Sequence, residues 1–155
     1  TGNSASWINK GVEFQIKSEL PWGNDTLFVL NYGYNNPQGN RDRGINRTLD
    51  SLDSRAPNHT ASLLLSTKPT NSSLIGLTYY YMSHTEWLEG YSKESSDNNG
   101  YTRADLTLRN TFPLSHRTDL SLSLIVKNLF DRRYSEFYRN NEFDRRTYLQ
   151  LKLSY

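Results

Sequence analysis

The chain has 155 residues, with 18 Lys and Arg against 16 Asp and Glu, for a formal net charge of +2. That is one domain's worth of chain. The near-balance argues against a strongly basic nucleic-acid footprint, and the absence of cysteine excludes disulfides, thiol chemistry and Cys-bound metal. No apolar run approaches the ~20 residues of a transmembrane helix. A mean hydropathy of −0.78 still leaves a membrane open, because a barrel strand alternates lipid-facing and lumen-facing residues and averages out polar.

The opening, Thr1 to Ser6, reads as the middle of a loop. No signal peptide precedes it, and further chain upstream is expected. From Gly11 to Leu20 the residues alternate, with Val12, Phe14, Ile16 and Leu20 on one face and Glu13, Gln15, Lys17 and Glu19 on the other. Strand side chains point alternately to opposite faces, so this predicts a strand. A short turn at Pro21 to Asp25 leads to a second strand, Thr26 to Asn35. It sets Phe28, Leu30, Tyr32 and Tyr34 against Val29, Asn31, Gly33 and Asn35. Asn36 to about Pro57, polar and rich in Asn, Gly, Arg and Asp, predicts a long loop.

His59 to Thr67 predicts a third strand with Ala61, Leu63 and Leu65 on one face, followed by a short turn at Lys68 to Ser73. The parity of the fourth run, Leu74 to Thr85, is ambiguous because Tyr79, Tyr80 and Tyr81 are consecutive. We assign Ile75, Leu77, Tyr79 and Tyr81 to the apolar face. Glu86 to Gly100 is a second long loop. Tyr101 to Phe112 places Ala104, Leu106, Leu108 and Phe112 opposite Arg103, Asp105, Thr107 and Arg109. After a turn at Pro113 to Thr118, Asp119 to Phe130 places Leu120, Leu122, Leu124 and Val126 opposite Ser121, Ser123 and Lys127. Asp131 to Asp144 is a third long loop. The final run, Arg145 to Tyr155, aligns Leu149, Leu151, Leu153 and Tyr155 against Tyr148, Gln150, Lys152 and Ser154.

The reading is therefore all-β, with about seven strands and no helix. Connections alternate short and long, so an antiparallel up-and-down sheet gathers the long loops at one edge, as outer-membrane barrels do. Runs of about 9–12 residues suit the ~9–11 that a tilted strand needs to cross a bilayer and exceed the soluble mode of about 5–6. Pro21, Pro69 and Pro113 fall in the expected short turns, where a missing amide costs little. A soluble lipocalin-like barrel is the structural alternative.

Five pieces resemble the C-terminal part of a TonB-dependent outer-membrane receptor. They are Gly11-Val12-Glu13, Ala56-Pro57-Asn58-His59, Gly100-Tyr101-Thr102-Arg103-Ala104-Asp105-Leu106, Val126 to Tyr134 with its Asn-Leu-Phe-Asp-x-x-Tyr core, and Arg146 to Tyr155. The resemblance spans the whole chain, residues 1–155, and its most specific piece is the one ending at Tyr134. It implies a transmembrane β-barrel of the 22-stranded type in the bacterial outer membrane, with the plug domain and earlier strands absent from this sequence. It further implies active uptake of a scarce small-molecule nutrient such as a ferric siderophore, haem, cobalamin or an oligosaccharide. The partners so implied are outer-membrane lipid and lipopolysaccharide, the barrel-assembly machinery, and TonB acting through the plug; nucleic acid is not among them. The terminal pattern Leu149, Leu151, Leu153, Tyr155 resembles the signal that the assembly machinery reads. A self-contained β-barrel, a small membrane barrel or a soluble binding module, is the alternative function.

No catalytic or metal site is expected, and no cofactor. His59, His84 and His116 lack ligand spacing, and no Gly-x-Ser-x-Gly elbow accompanies the serines. Four Asn-x-Ser/Thr triplets, beginning at Asn24, Asn46, Asn58 and Asn71, are what an Asn- and Thr-rich chain produces by chance. The inward-facing charges Glu13, Lys17, Arg103, Asp105, Arg109, Lys127 and Lys152 read as a lumen wall of cross-strand ion pairs and hydrogen bonds, or else as a ligand path. Ligand contacts are expected from the long loops: Arg41, Arg43, Arg47 and Arg55 in the first, Trp87 and Tyr91 in the second, Tyr134, Phe137, Tyr138 and Arg139 in the third. The Arg donor fork suits carboxylate or phosphate. A solvated loop touching lipopolysaccharide is the plainer alternative for any single Arg. Phe112, Trp22 and Tyr155 at one edge, and Tyr32, Tyr34, Tyr81 and Phe130 at the other, are the expected interfacial girdles.

Overall fold

The alternating runs form strands of one antiparallel sheet. The computed structural model describes residues 7–22, 24–39, 56–88, 95–136 and 141–155, with the backbone alone for residues 7, 38–39, 86–88 and 95–98. The strands are β1 (Trp7–Leu20), β2 (Asn24–Gly39), β3 (His59–Lys68), β4 (Ser73–Met82), β5 (Thr85–Leu88), β6 (Ser95–Asn98), β7 (Tyr101–Ser115), β8 (Thr118–Lys127), β9 (Tyr134–Ser135), β10 (Glu142–Phe143) and β11 (Arg146–Ser154). Seven of them make the main sheet, in the order β1-β2-β3-β4-β7-β8-β11. Each strand pairs with the next in an up-and-down meander, and the described residues contain no helix.

Register turns seven separate patterns into two continuous faces. One row runs Ser18–Phe28–Leu65–Leu77–Leu106–Val126–Thr147, and its neighbour runs Thr67–Ile75–Leu108–Leu124–Leu149. A one-residue slip between any two strands would throw one strand's apolar set onto the opposite face. The tyrosine triplet resolves as expected: Tyr79 and Tyr81 pair with Leu63 and Ala61 on the apolar face, and Tyr80 pairs with Ser62 on the polar one.

Among the described residues nothing covers the apolar face. Ala104, at 3% exposure, is the one buried hydrophobic side chain among the described residues, whereas Val12 is 65% exposed, Leu149 68% and Leu151 67%. The sheet is a single layer, with β1 and β11 at its two edges.

The short connections 21–23, 69–72 and 116–117 share one edge, and the long connections 40–58, 83–100 and 128–145 share the other. Several boundaries differ from those expected. β1 begins earlier, at Trp7, and β2 continues through Pro37 to Gly39. Beyond its link from Asn35 N–H to the Asn58 carbonyl, β2 has β1 as its one strand neighbour among the described residues. Pro113 likewise lies inside β7 rather than in a turn, past the last β4 partner at Asn110 and beside a register shift. A proline is tolerated where a strand has lost one neighbour. β4 stops at Met82 and β8 at Lys127, short of the expected Thr85 and Phe130. The second and third long connections carry small hairpins of their own, β5–β6 and β9–β10.

Gly100 is required where the second connection enters β7. Its φ is +75°, and a Cβ there would stand 2.5 Å from the Met82 carbonyl oxygen. Only glycine meets both conditions without strain.

Candidate functional site

The polar face near the long-loop edge is where side chains converge. Gln15, Asn31, Ser62, Tyr80 and Arg103 occupy one row across five strands. Gln15 Nε2 donates to Asn31 Oδ1 at 2.6 Å, and Asn31 Nδ2 donates to Ser62 Oγ at 3.0 Å. The Arg103 guanidinium lies 4.5 Å from the Tyr80 ring centroid. The adjacent row toward the loops is Glu13–Gly33–Thr60–Met82–Tyr101. Apart from Arg103, the two rows line an open trough of about 620 Å³, which continues toward Asn9 and Asn35 in a second of about 600 Å³.

Arg103 closes one end of this wall. Its Nη1 donates to Tyr134 Oη at 3.1 Å and to Glu136 Oε1 at 3.2 Å. Its Nε stands 3.1 Å from Asp105 Oδ1, a close charge pair without a hydrogen-bonding angle, so that N–H is buried and unpaired. The Arg103 and Asp105 side chains are only 18% and 14% exposed, which lets both carboxylates act through little water. Tyr134 stacks on Tyr101 at 4.5 Å and on Phe143 at 5.5 Å. Arg146 lies over the Phe143 ring at 5.2 Å.

The segment Asn128 to Tyr134 is folded so that Tyr134 arrives there. Asn128 is 2% exposed and adopts φ +56°, a left-handed conformation that Asn tolerates better than most residues. Its backbone N–H donates to Asp105 Oδ1 at 3.0 Å, while its side chain donates to the Arg132 carbonyl at 2.9 Å and accepts from Arg132 N–H at 3.2 Å. Asp131, also at positive φ, accepts from Arg145 N–H at 2.9 Å through Oδ1 and so ties in the start of β11. The Asn-x-x-Asp-x-x-Tyr spacing is thus a loop-closing device: two left-handed residues turn the chain, and the Tyr pins it to the polar face.

The sequence-predicted residues divide sharply. Tyr134 joins the cluster. Trp87 lies in β5 with its backbone opposite Ser96, and its side chain is outside the described residues. Arg41, Arg43, Arg47, Arg55, Tyr91, Phe137, Tyr138 and Arg139 also lie outside the described residues. Leu149, Leu151 and Leu153 line the apolar face of the edge strand β11, and Tyr155 follows it fully exposed. Of the inward charges, only Arg103 and Asp105 pair with each other. Among the described residues Glu13, Lys17, Arg109, Lys127 and Lys152 form no ion pair. Their ladder partners are uncharged or, for Lys127 on its β11 side, the like-charged Arg146, and amide and hydroxyl bonds such as Arg109 Nε to Ser123 Oγ at 3.2 Å and Thr111 to Ser121 at 2.9 Å join the wall instead.

Tyr80, Tyr101, Glu136 and Phe143 were not expected at the site. The parity of Tyr101, Arg103 and Asp105 on one strand face was the available signal. Glu136 and Phe143 carried none, because a loop has no period. No protein-family model matches this chain, and no curated protein sequence matches it.

Proposed function

We propose that this chain is a stretch of transmembrane β-barrel wall in the bacterial outer membrane. We place it in the C-terminal part of a TonB-dependent receptor that takes up a scarce nutrient. One observation carries the bilayer reading: a seven-stranded sheet presents a continuous, exposed apolar face on one side and a hydrogen-bonded polar face on the other. Water does not favour so much contiguous apolar surface on a soluble monomer; lipid chains do.

Further support comes from strand length and from the edges. β3, β4 and β8 have 10 residues each and β11 has 9, close to the ~9–11 that span a bilayer core, while β1, β2 and β7 run longer, at 14, 16 and 15. Exposed aromatics stand at both edges: Trp22 and Phe112 by the short turns, and Tyr34, Tyr81 and Phe130 by the long connections. Barrels of this kind place aromatic girdles at both interfaces. The receptor assignment rests on the sequence resemblance, above all on the residues that fold the Asn128 to Tyr134 segment. The missing wall, the plug and the link to TonB belong to that proposal.

A soluble barrel would turn the same apolar face into a core. The chain has no cysteine, so single cysteines can be introduced and spin-labelled without background. In lipid vesicles, labels along β7 from 106 to 109 should alternate. Even positions should collide with oxygen dissolved in lipid, and odd positions with a water-soluble nickel complex. Even positions shielded from both reagents would mean a buried core and would end the membrane reading.

A further inference from the structure

We infer that the connection between β8 and β11 is a hinged strap, latched onto the polar face by Arg103. The inference goes beyond the uptake reading and stands on contacts among the described residues. The connection joins β8 to β11, yet its far part reaches back past β8 to side chains of β7. There Tyr134 stacks on Tyr101 with centroids 4.5 Å apart, and Tyr134 and Glu136 both accept from Arg103 Nη1.

Two parts of the connection are held differently. The base, Asn128 to Arg132, is tied by buried and backbone bonds. Asn128 is 2% exposed and bonds Asp105 and Arg132, Leu129 N–H donates to the Ala104 carbonyl at 2.7 Å, and Asp131 accepts from Arg145 N–H. The tip, β9 with β10, is a small unit of its own, in which Phe143 both pairs with Tyr134 and stacks on it at 5.5 Å. It meets β7 through side chains, at Arg103 and Tyr101. A bend at Arg133, whose side chain is 76% exposed, moves the tip and leaves the base in place.

Charge makes this a latch that can open. Arg103 has a carboxylate on each side, Asp105 on the wall and Glu136 on the tip. When the tip lifts, Arg103 keeps Asp105, while Glu136, already 29% exposed, passes into water. No buried charge is then stranded, which is the step that makes breaking most buried pairs costly. The latched state also carries a cost. Arg103 Nε is buried without a hydrogen bond, although Asp105 Oδ1 stands only 3.1 Å away. A guanidinium released from Tyr134 and Glu136 can turn to give Asp105 that bond. Closing therefore gains two hydrogen bonds to the tip at the expense of one to the wall, which brings the two states close in free energy.

The test is a pair of distances measured by electron-electron double resonance on this chain in lipid nanodiscs. The chain has no cysteine, so Glu142→Cys can report the tip and Arg132→Cys the base, each against Arg117→Cys at the opposite edge. With no other change, both pairs should give one narrow distance. Glu136→Gln should lower the latched-to-released ratio about tenfold, and Tyr134→Phe/Glu136→Gln about fiftyfold. Both should appear as a broadened tip distance beside an unchanged base distance. Arg133→Ala, which breaks the exposed pair with Asp144 in the same connection, should alter neither distance. The releasing variants leave Arg103 and Asp105 in place, and circular dichroism checks that the sheet persists. A tip already broad without them, a tip still narrow in the double variant, a base that broadens with the tip, or release by Arg133→Ala would each overturn the inference.

Discussion

The two faces of this sheet are held by different means. On the polar face, side chains satisfy one another: Gln15 to Asn31 to Ser62 along one row, and Arg109 to Ser123 and Thr111 to Ser121 further down. On the apolar face Leu108, Leu124 and Leu149 stand in one row at 37%, 37% and 68% exposure and lean only on their neighbours. Covering a leucine fully contributes about 1.5–3 kcal/mol, and here most of that gain is still uncollected. The polar face is therefore held largely by its own side-chain bonds, and the apolar face is complete only in the medium it meets.

The largest expected loss comes from breaking the polar face at its densest point. Arg103→Met keeps the stem and removes the charge, leaving Asp105 and Glu136 without their shared cation in a site where Arg103 and Asp105 are mostly buried. Removing one partner of a buried pair costs about 3–5 kcal/mol. We expect the lower end, about 3 kcal/mol, because Glu136 retains 29% exposure and recovers some solvation. Urea titration followed by tyrosine fluorescence checks this. A loss under about 1 kcal/mol would mean that stacking of Tyr134 on Tyr101, rather than the charges, holds the segment.

A smaller effect separates the faces directly. Leu108 and Thr107 are neighbours on β7 that point to opposite sides, Leu108 opposite Leu124 and Thr107 opposite Ile125. In lipid vesicles Leu108→Arg should cost about 2–3 kcal/mol, as Arg does near a bilayer midplane. Thr107→Arg should stay within about 0.5 kcal/mol, because its side chain enters water beside Gly76. Equal costs at the two positions would remove the distinction between a lipid side and a water side.

Seven strands, their order and both faces were legible in the sequence because period-two alternation is a local property and register then follows from keeping apolar residues together. Even the tyrosine triplet at 79–81 could be placed, since its neighbours Ile75 and Leu77 fixed the parity. The ends of strands were less legible. Pro37 and Pro113 look like punctuation in a sequence, but each lies where a strand has only one neighbour, a fact about the sheet rather than the residue. The site was legible in part. Parity put Arg103 and Asp105 on one face, but nothing local announces that Asn128 and Asp131 adopt left-handed backbone and so deliver Tyr134 and Glu136 to them. Of the expected cross-strand ion pairs and hydrogen bonds, the hydrogen bonds formed. The ion pairs expected from parity did not, because parity says which charges share a face and says nothing of what each meets across the ladder.

The smallest expected effect sharpens the contrast between burial and distance. Lys68 Nζ stands 3.0 Å from Asp25 Oδ2 at the short-turn edge, as near as Arg103 stands to its carboxylates, but the side chains are 47% and 74% exposed. Water screens such a pair and both side chains give up rotamer freedom to form it, so exposed pairs contribute about 0.2–1 kcal/mol. Lys68→Ala should therefore cost about 0.5 kcal/mol at low salt, falling toward zero in 1 M NaCl, where the Debye length is about 3 Å. The Arg103→Met loss should persist in the same salt, because its partners are mostly out of reach of ions. If both losses vanish together in salt, the Arg103 cluster is wetter than its geometry indicates, and the polar face draws its cohesion from its amide and hydroxyl bonds, Gln15–Asn31–Ser62 and Thr111–Ser121 among them.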